Sequence, residues 1–314
     1  MPTSPMPRWR LLRPCAVLLA LAGTAPAALL AQKPATPVRC QFDFEVVPAA
    51  GTTKADLTAL IPRTIDGRQK VEKIVYAPEP TRTFEDQGNT YAVFDLPART
   101  PKFAVSITTD LLLSPPEDAP LREQKPKKNE TFAPWLVTEK WLDVDAPEIR
   151  AAAKPLKAAG DEDLARAVAK LVMKHVTYAR YEAQPKGALA AWQTAQGDCT
   201  EFSDLMVSLC RARGLPARHC SGYTTEWAGV PCHCWVEVFC KGKGWILFDP
   251  TLGKVGAEQL NGNKPIYVHL SSVRNDPHLL GHQLYSYSFT GEAVKVTAKF
   301  AATVDGKTKS WQPQ

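Results

Sequence analysis

Three residues carry the chemistry this sequence offers most clearly: Cys199, His233 and Asp249. Cys199 stands in Gly197-Asp-Cys-Thr-Glu, just before a stretch in which Phe202, Leu205, Met206, Leu209 and Arg213 recur at helical steps. Gly214 and Leu215-Pro216 end that stretch, so the spacing predicts a helix with Cys199 at or just before its first turn. A thiolate there gains from the positive end of the helix dipole, and first-turn N–H groups point toward any oxyanion formed by its attack. The thiol is therefore expected to titrate below its ordinary value. The plainer account, a buried structural thiol, fits poorly with the Gly-Asp turn before it and the polar Thr200-Glu201 after it.

His233 opens the strand His233-Cys-Trp-Val-Glu-Val-Phe-Cys240, where alternation puts His233, Trp235, Glu237 and Phe239 on one face. Lys241-Gly-Lys-Gly244 must turn the chain into Trp245-Ile-Leu-Phe-Asp249. A loop of residues 241–243 pairs Cys240 with Gly244 and sets Trp235 opposite Asp249. Asp249 then lies one diagonal step from His233 on the same face, roughly 7–8 Å across the ladder and within reach of a carboxylate–imidazole bond. A loop one residue shorter sends Asp249 to the other face. In this reading Asp249 orients the ring, and His233 takes the Cys199 proton.

The elements that must hold these groups are legible around them. Helical spacing takes over from Ala146, and in residues 161–176 Leu164, Val168, Leu171, Val172 and His175 form one stripe. His175 on that stripe reads as a core or rim histidine. Strands are expected at 217–225, 233–240 and 245–249. Earlier, Phe42-Asp-Phe-Glu-Val-Val47 and the runs 69–76, 90–96 and 103–108 are short, rich in β-branched or aromatic residues and separated by turn residues. They predict a small antiparallel β-sandwich-like domain over 28–113. Residues 114–135, with Pro-Pro-Glu-Asp-Ala-Pro and Lys-Pro-Lys-Lys-Asn-Glu, predict an exposed linker. Asn129-Glu-Thr131 matches a glycosylation acceptor that matters only in a eukaryotic secretory host. Strand candidates in the tail, 266–270 and 293–300, are expected to extend the core sheet, giving a C-terminal extension over 256–314.

Taken together, Gly197-Asp-Cys-Thr-Glu-Phe-Ser-Asp-Leu, Arg211-Ala-Arg-Gly-Leu-Pro-Ala-Arg218, Gly222-Tyr223, His233-Cys-Trp-Val-Glu-Val and Gly244-Trp-Ile-Leu-Phe-Asp-Pro-Thr251 resemble the core of the transglutaminase-like superfamily. The resemblance covers about residues 140–255 and implies a papain-like α+β fold, with the core at 136–255. It implies Cys199 as nucleophile, His233 as base and Asp249 as orienter. Papain-like peptidases place a Gln six residues before the nucleophile, a spacing that Gln193 has, so the resemblance makes Gln193 a candidate second oxyanion donor. Transglutaminases use an upstream Trp instead, and Trp192 stands off their usual distance. The superfamily holds crosslinking enzymes, peptidases, glycanases and non-catalytic members. The expected reaction is acyl transfer on a protein or peptide amide through a Cys199 thioester, with hydrolysis favoured over crosslinking. The competing class is a non-catalytic binding or scaffold protein that keeps the fold.

The remaining residues bound the answer. The 314-residue chain, 45% hydrophobic and 22% charged, has the composition of a globular protein. Arg8, Arg10 and Arg13, a short apolar run from Cys15 to Ala22, and Ala25-Pro-Ala27 read as a signal peptide over 1–27. The run is shorter than the ~20 residues of a spanning helix, so a secreted or periplasmic protein without a stable membrane anchor is expected. Loss of that segment takes the formal charge from +6 to +3, too little and too scattered for nucleic acid. Seven of the eight cysteines stay with the mature chain, so at least one is not paired within it. A zinc site drawn from Cys210, Cys220, Cys232, Cys234 or His219 lacks paired Cys-x-x-Cys spacing, and no Asp-rich calcium loop is visible. No cofactor or metal is therefore expected. Amino-terminal sequencing of protein from its source cells should find a first residue near Ala28 or Gln32; an intact Met1 in the cytosol would overturn export.

Overall fold

Alternation of apolar and polar residues builds the first strands. In β1 (Thr36–Pro48), Val38, Cys40, Phe42, Phe44 and Val46 are buried while Arg39, Gln41 and Asp43 face outward. β2 (Thr52–Ile61), β3 (Gln69–Ala77), β4 (Arg82–Asp86), β5 (Asn89–Leu96) and β6 (Phe103–Leu113) follow. β2 and β4 are absent from the sequence reading: Lys54, Ala55 and Asp56 carry poor strand preference, and β4 is five mostly charged or polar residues. The computed structural model describes residues 34–97, 101–115, 131–180, 182, 184–226, 232–251 and 264–311. The expected leader and most of the expected linker, with residues 125–128 and Asn129, lie outside them.

The central region alternates helices and short strands: α1 (Pro147–Ala153), α2 (Asp161–His175), β7 (Thr177–Tyr178), α3 (Gly187–Thr194), β8 (Gln196–Gly197) and α4 (Cys199–Ala212). β9 (Ala217–Thr224), β10 (Cys232–Cys240), β11 (Gly244–Phe248) and β12 (Tyr267–Ser271) form one sheet in the order β11-β10-β9-β12. α4 is buried from Cys199 through Arg211. Its Phe202, Leu205, Met206, Leu209 and Cys210 share a core with Val168 and Val172 of α2 on one side and Val236, Val238 and Cys240 of β10 on the other. The result is a mixed α+β fold in which the Cys199 helix packs on the sheet that carries His233.

The tail corrects the expected domain plan. β12 does join the core sheet, but β13 (Tyr285–Gly291), β14 (Val294–Val304) and β15 (Lys307–Trp311) do not extend it. β13 pairs with β2, and β14 with β1 over eleven residues from Val38↔Val304 to Pro48↔Val294. The sheets are thus β15-β14-β1-β6-β3 and β13-β2-β5-β4; most of their buried residues cluster with Tyr223 of β9 and Val268 and Leu270 of β12, while Val46, Ala55, Leu96 and Val294 form a smaller cluster of their own. Among the described residues no self-contained β-sandwich precedes the core; strands from before and after the core together complete these sheets. The physical reason is that β1 offers an unpaired edge, and a strand of matching alternation 250 residues later fits it as well as a local one.

Polar contacts knit the N-terminal strands to the core sheet. Gln69 Oε1 accepts the His269 N–H at 2.9 Å, and Gln69 Nε2 donates to His269 O at 3.1 Å. Glu237, on β10, is 1% exposed and held from both sides. Arg68, between β2 and β3, donates to its Oε1, while Arg218 donates to Oε2 from Nε at 2.7 Å and Nη2 at 2.5 Å. Arg218 also lies 4.1 Å over the Trp245 ring. Burial pushes the Glu237 carboxyl up, but the two guanidinium groups outweigh it and hold it well below the usual carboxylate range. Removing Glu237 takes their shared carboxylate from two part-buried guanidinium groups, so Glu237→Ala should lower unfolding stability, by up to about 3–5 kcal/mol, in urea melts near neutral pH. Because the folded carboxyl titrates below its unfolded value of about 4.3, its contribution is present above that pH and fades below it. The gap between wild type and variant should narrow as pH falls from about 5 to about 3; a constant gap would count against the ion-pair account.

Candidate active site

Cys199 is the first residue of α4, and two carboxylates fix where that helix begins. Asp198 Oδ1 accepts the Thr200 N–H at 2.7 Å, and Glu201 Oε2 accepts the Asp198 N–H at 3.1 Å, a reciprocal capping box. Their other oxygens hold the preceding loop: Asp198 Oδ2 accepts from Glu182 N at 3.1 Å, and Glu201 Oε1 from Lys186 N at 2.9 Å. A Cβ at Gly197 would stand 2.4 Å from the Glu201 Cβ, so only glycine lets Glu201 fold back under the turn. The same need appears at Gly222, where a Cβ would lie 2.0 Å from Val268 O and block the pairing of β12 with β9.

The β10–β11 hairpin has the expected register, Cys240↔Gly244 through Val236↔Phe248. Asp249 follows β11 directly and its Oδ2 lies 2.6 Å from His233 Nε2. The carboxylate has further partners that orient it: the Tyr267 hydroxyl donates to Oδ2 at 2.8 Å, and the Thr251 N–H and hydroxyl donate to Oδ1 at 3.0 and 2.5 Å. Asp249 is 0% exposed and His233 1%. With Nε2 committed to Asp249, Nδ1 is the ring nitrogen left for Cys199, whose thiol and the imidazole influence each other's titration. Burial pulls the imidazole down, but Asp249 outweighs it and lifts His233 to about 10, so the ring is cationic at neutral pH.

The thiol behaves differently from the expectation. Cys199 is raised well above its ordinary value, first by a hydrogen bond with Cys234 and then by burial, with His233 opposing both. The contacts of Cys234 explain the sign. Its S–H points to Gln283 Oε1 at 3.8 Å, so the sulfur offers Cys199 a lone pair and favours the Cys199 proton staying in place. The helix dipole is present, but a desolvated thiol with an accepting neighbour is not depressed by it.

Gln193 is not brought to this cluster. It sits on α3 with its Nε2 3.4 Å from Glu148 Oε1, while Trp192 stacks on His175 with ring centroids 3.9 Å apart. The six-residue spacing fails because Ala195 takes a left-handed turn (φ 54°) that ends α3 before β8. Sequence reasoning missed Tyr267, Thr251 and Gln283, and placed Cys234 only on the face away from His233. Thr251, two residues after Asp249, carried a turn signal; Tyr267 and Gln283 reach the site from the tail and carried none. Gln283 Nε2 donates to Thr200 Oγ1 at 3.1 Å, beside Cys199.

The cysteines and His219 weighed as zinc ligands are dispersed: His219 Nδ1 pairs with Asp204 at 2.9 Å, and Cys210 and Cys240 lie in the helix–sheet core. Cys220, Glu237 and His269 do place ligand atoms within 4.8 Å of one another. Both Glu237 oxygens are already taken by guanidinium groups, which disfavours a cation there. Among the described residues no helix is long and apolar enough to cross a membrane.

Residues 150–250 match the family model of the transglutaminase-like superfamily. By fold the chain is similar to a proposed cysteine protease from Cytophaga hutchinsonii, with 17% identity, a TM-score of 0.61, and 85% of this chain and 91% of that one covered. A looser likeness joins it to the periplasmic domain of TgpA from Pseudomonas aeruginosa, at 17% identity and a TM-score of 0.39, covering 73% of this chain and 93% of that domain. In sequence it is 34% identical over 86 residues to the uncharacterized protein YebA of Bacillus subtilis (strain 168). That match spans 23% of this chain and 12% of the relative.

Removing Cys234 tests the account of the raised thiol. In Cys234→Ala the accepting sulfur is gone, so the rate of Cys199 alkylation by iodoacetamide should rise at a lower pH than in wild type. Rate against pH, read by mass spectrometry, checks this; an unmoved profile would show that burial alone holds the proton.

Proposed function

We propose that the chain is a cysteine enzyme performing acyl transfer on peptide-like amides, with Cys199 as nucleophile, His233 as proton carrier and Asp249 as its orienter. The observation that carries this reading is His233, held at 2.6 Å by Asp249, on the sheet that packs against the helix whose first residue is Cys199. The Cys199 thiol gives its proton to solvent and its sulfur attacks the amide carbonyl, while the Cys199 N–H in the first turn of α4 donates to the oxyanion. The imidazolium proton passes to the leaving amine and a thioester remains. His233, now neutral, takes a proton from water, and hydroxide attack releases the acid and the thiol. Hydrolysis is preferred to crosslinking because export is expected from the N-terminal segment and no calcium loop is visible in the sequence.

One observation favours the non-catalytic alternative: Cys199 is only 6% exposed and its thiol is raised. Turnover decides between them. Purified protein offered a peptide amide with and without a primary amine should give free acid in both cases. An amine adduct would mean a crosslinker, and no product with any peptide tried would support the scaffold. Cys199→Ala should abolish turnover, and His233→Ala should lower it about 10²- to 10⁴-fold. Asp249→Ala should cost less, because it acts through the ring, and should lower the pH at which His233 titrates.

A further inference from the structure

Cys234 has no part in the acyl-transfer steps, yet its sulfur sits against the nucleophile. It lies 3.8 Å from Oγ1 of Thr200, the residue after Cys199 in the first turn of α4, so both thiols stand at the start of that helix, and the Cys199 thiol is raised by it. Both are free thiols, as are the other five described cysteines. The alternatives are placed differently. Cys232 packs against the cluster of the N-terminal strands, though its thiol also feels the charge of Cys199, and Cys220 hydrogen-bonds Ser272 on the side of Trp235 and Tyr267. Cys210 and Cys240 lie in the core between the helices and the sheet.

We propose that Cys199 and Cys234 form a reversible disulfide in response to a hydroperoxide. The Cys199 thiol gives its proton to solvent, from which His233 later regains one, and the thiolate attacks the distal peroxide oxygen, so an S–O bond forms and the O–O bond breaks. The departing oxyanion takes the His233 proton and leaves as an alcohol or, from hydrogen peroxide, as water. Cys199 is then a sulfenic acid, oxidised by two electrons while the peroxide is reduced by two. Cys234 sulfur attacks that of Cys199, the S–S bond forms, the S–O bond breaks, and the hydroxide leaves as water with the Cys234 proton. In sum two thiols and one hydroperoxide give one disulfide, one alcohol and one water. A dithiol reverses it by exchange through a mixed disulfide. The disulfide takes the nucleophile out of use and spares it the irreversible sulfinic acid. The proposal stands on the thiol pair and not on the amide chemistry, so it is read by thiol status rather than turnover.

The test treats the purified chain with hydrogen peroxide, blocks remaining thiols with N-ethylmaleimide, and maps linked peptides by tandem mass spectrometry. Wild type and Cys232→Ser should both yield a Cys199–Cys234 linkage, and dithiothreitol should restore Cys199 alkylation nearly fully. Cys234→Ser should lack the linkage, accumulate sulfinic acid at Cys199, and lose alkylation about tenfold or more without recovery. Cys234→Ala, with a thermal melt of each variant, guards against a misfolded serine variant. A wild-type Cys199 that oxidises to sulfinic acid while Cys234 still takes N-ethylmaleimide would overturn the proposal. So would a peroxide-induced link from Cys199 to any other cysteine.

Discussion

A buried helix has to find partners for the N–H groups of its first turn, and in this protein two carboxylates meet that demand. Asp198 and Glu201 are themselves almost fully enclosed, and between them they accept from the helix start and from the loop at residues 182–186. Everything at the site is measured from that fixed point. Cys199 lies between the two caps, with Thr200, so its position is set by hydrogen bonds that do not use its own side chain. Gly197 is required for the same reason, since the Glu201 side chain occupies the space a Cβ would need.

The sheet brings the second half of the site to that point. β10 carries His233 at one end and Glu237 two alternations along, so one strand holds the imidazole near α4 and is anchored to Arg68 and Arg218 by its middle. The anchor fixes strand position along its own axis, a degree of freedom that backbone pairing alone leaves to register. β12 adds Tyr267 to the Asp249 carboxylate and stays close to β9 because Gly222 has no side chain. The N-terminal strands and the tail then cover this sheet as one body, joined to it through Gln69 and His269.

The electrostatics of the cluster follow from enclosure. A carboxylate with four donors stays ionised in the interior, and its charge keeps the neighbouring imidazole protonated. The thiol feels that cation, but also burial and the accepting sulfur of Cys234, and the latter two prevail. In the resting protein the proton is therefore stored on both His233 and Cys199. Anything that displaces or oxidises Cys234 changes that balance.

The sequence by itself determined what is local. The start of α4 and the glycine turn follow from side-chain period and turn chemistry within a few residues, and once a three-residue hairpin loop is supposed, so does the shared face of His233 and Asp249. Those rules act through the backbone and need no knowledge of the rest of the chain. Only the tertiary structure decided which strands complete the N-terminal sheets, because β14 and β1 are equally good partners for many alternating strands and packing selects among them. It alone brought Tyr267, Gln283 and Cys234 to the site and turned Gln193 away to Glu148. It also reversed the expected direction of the thiol: a helix dipole can be read from residue order, but desolvation and a neighbouring sulfur depend on what the folded chain places there.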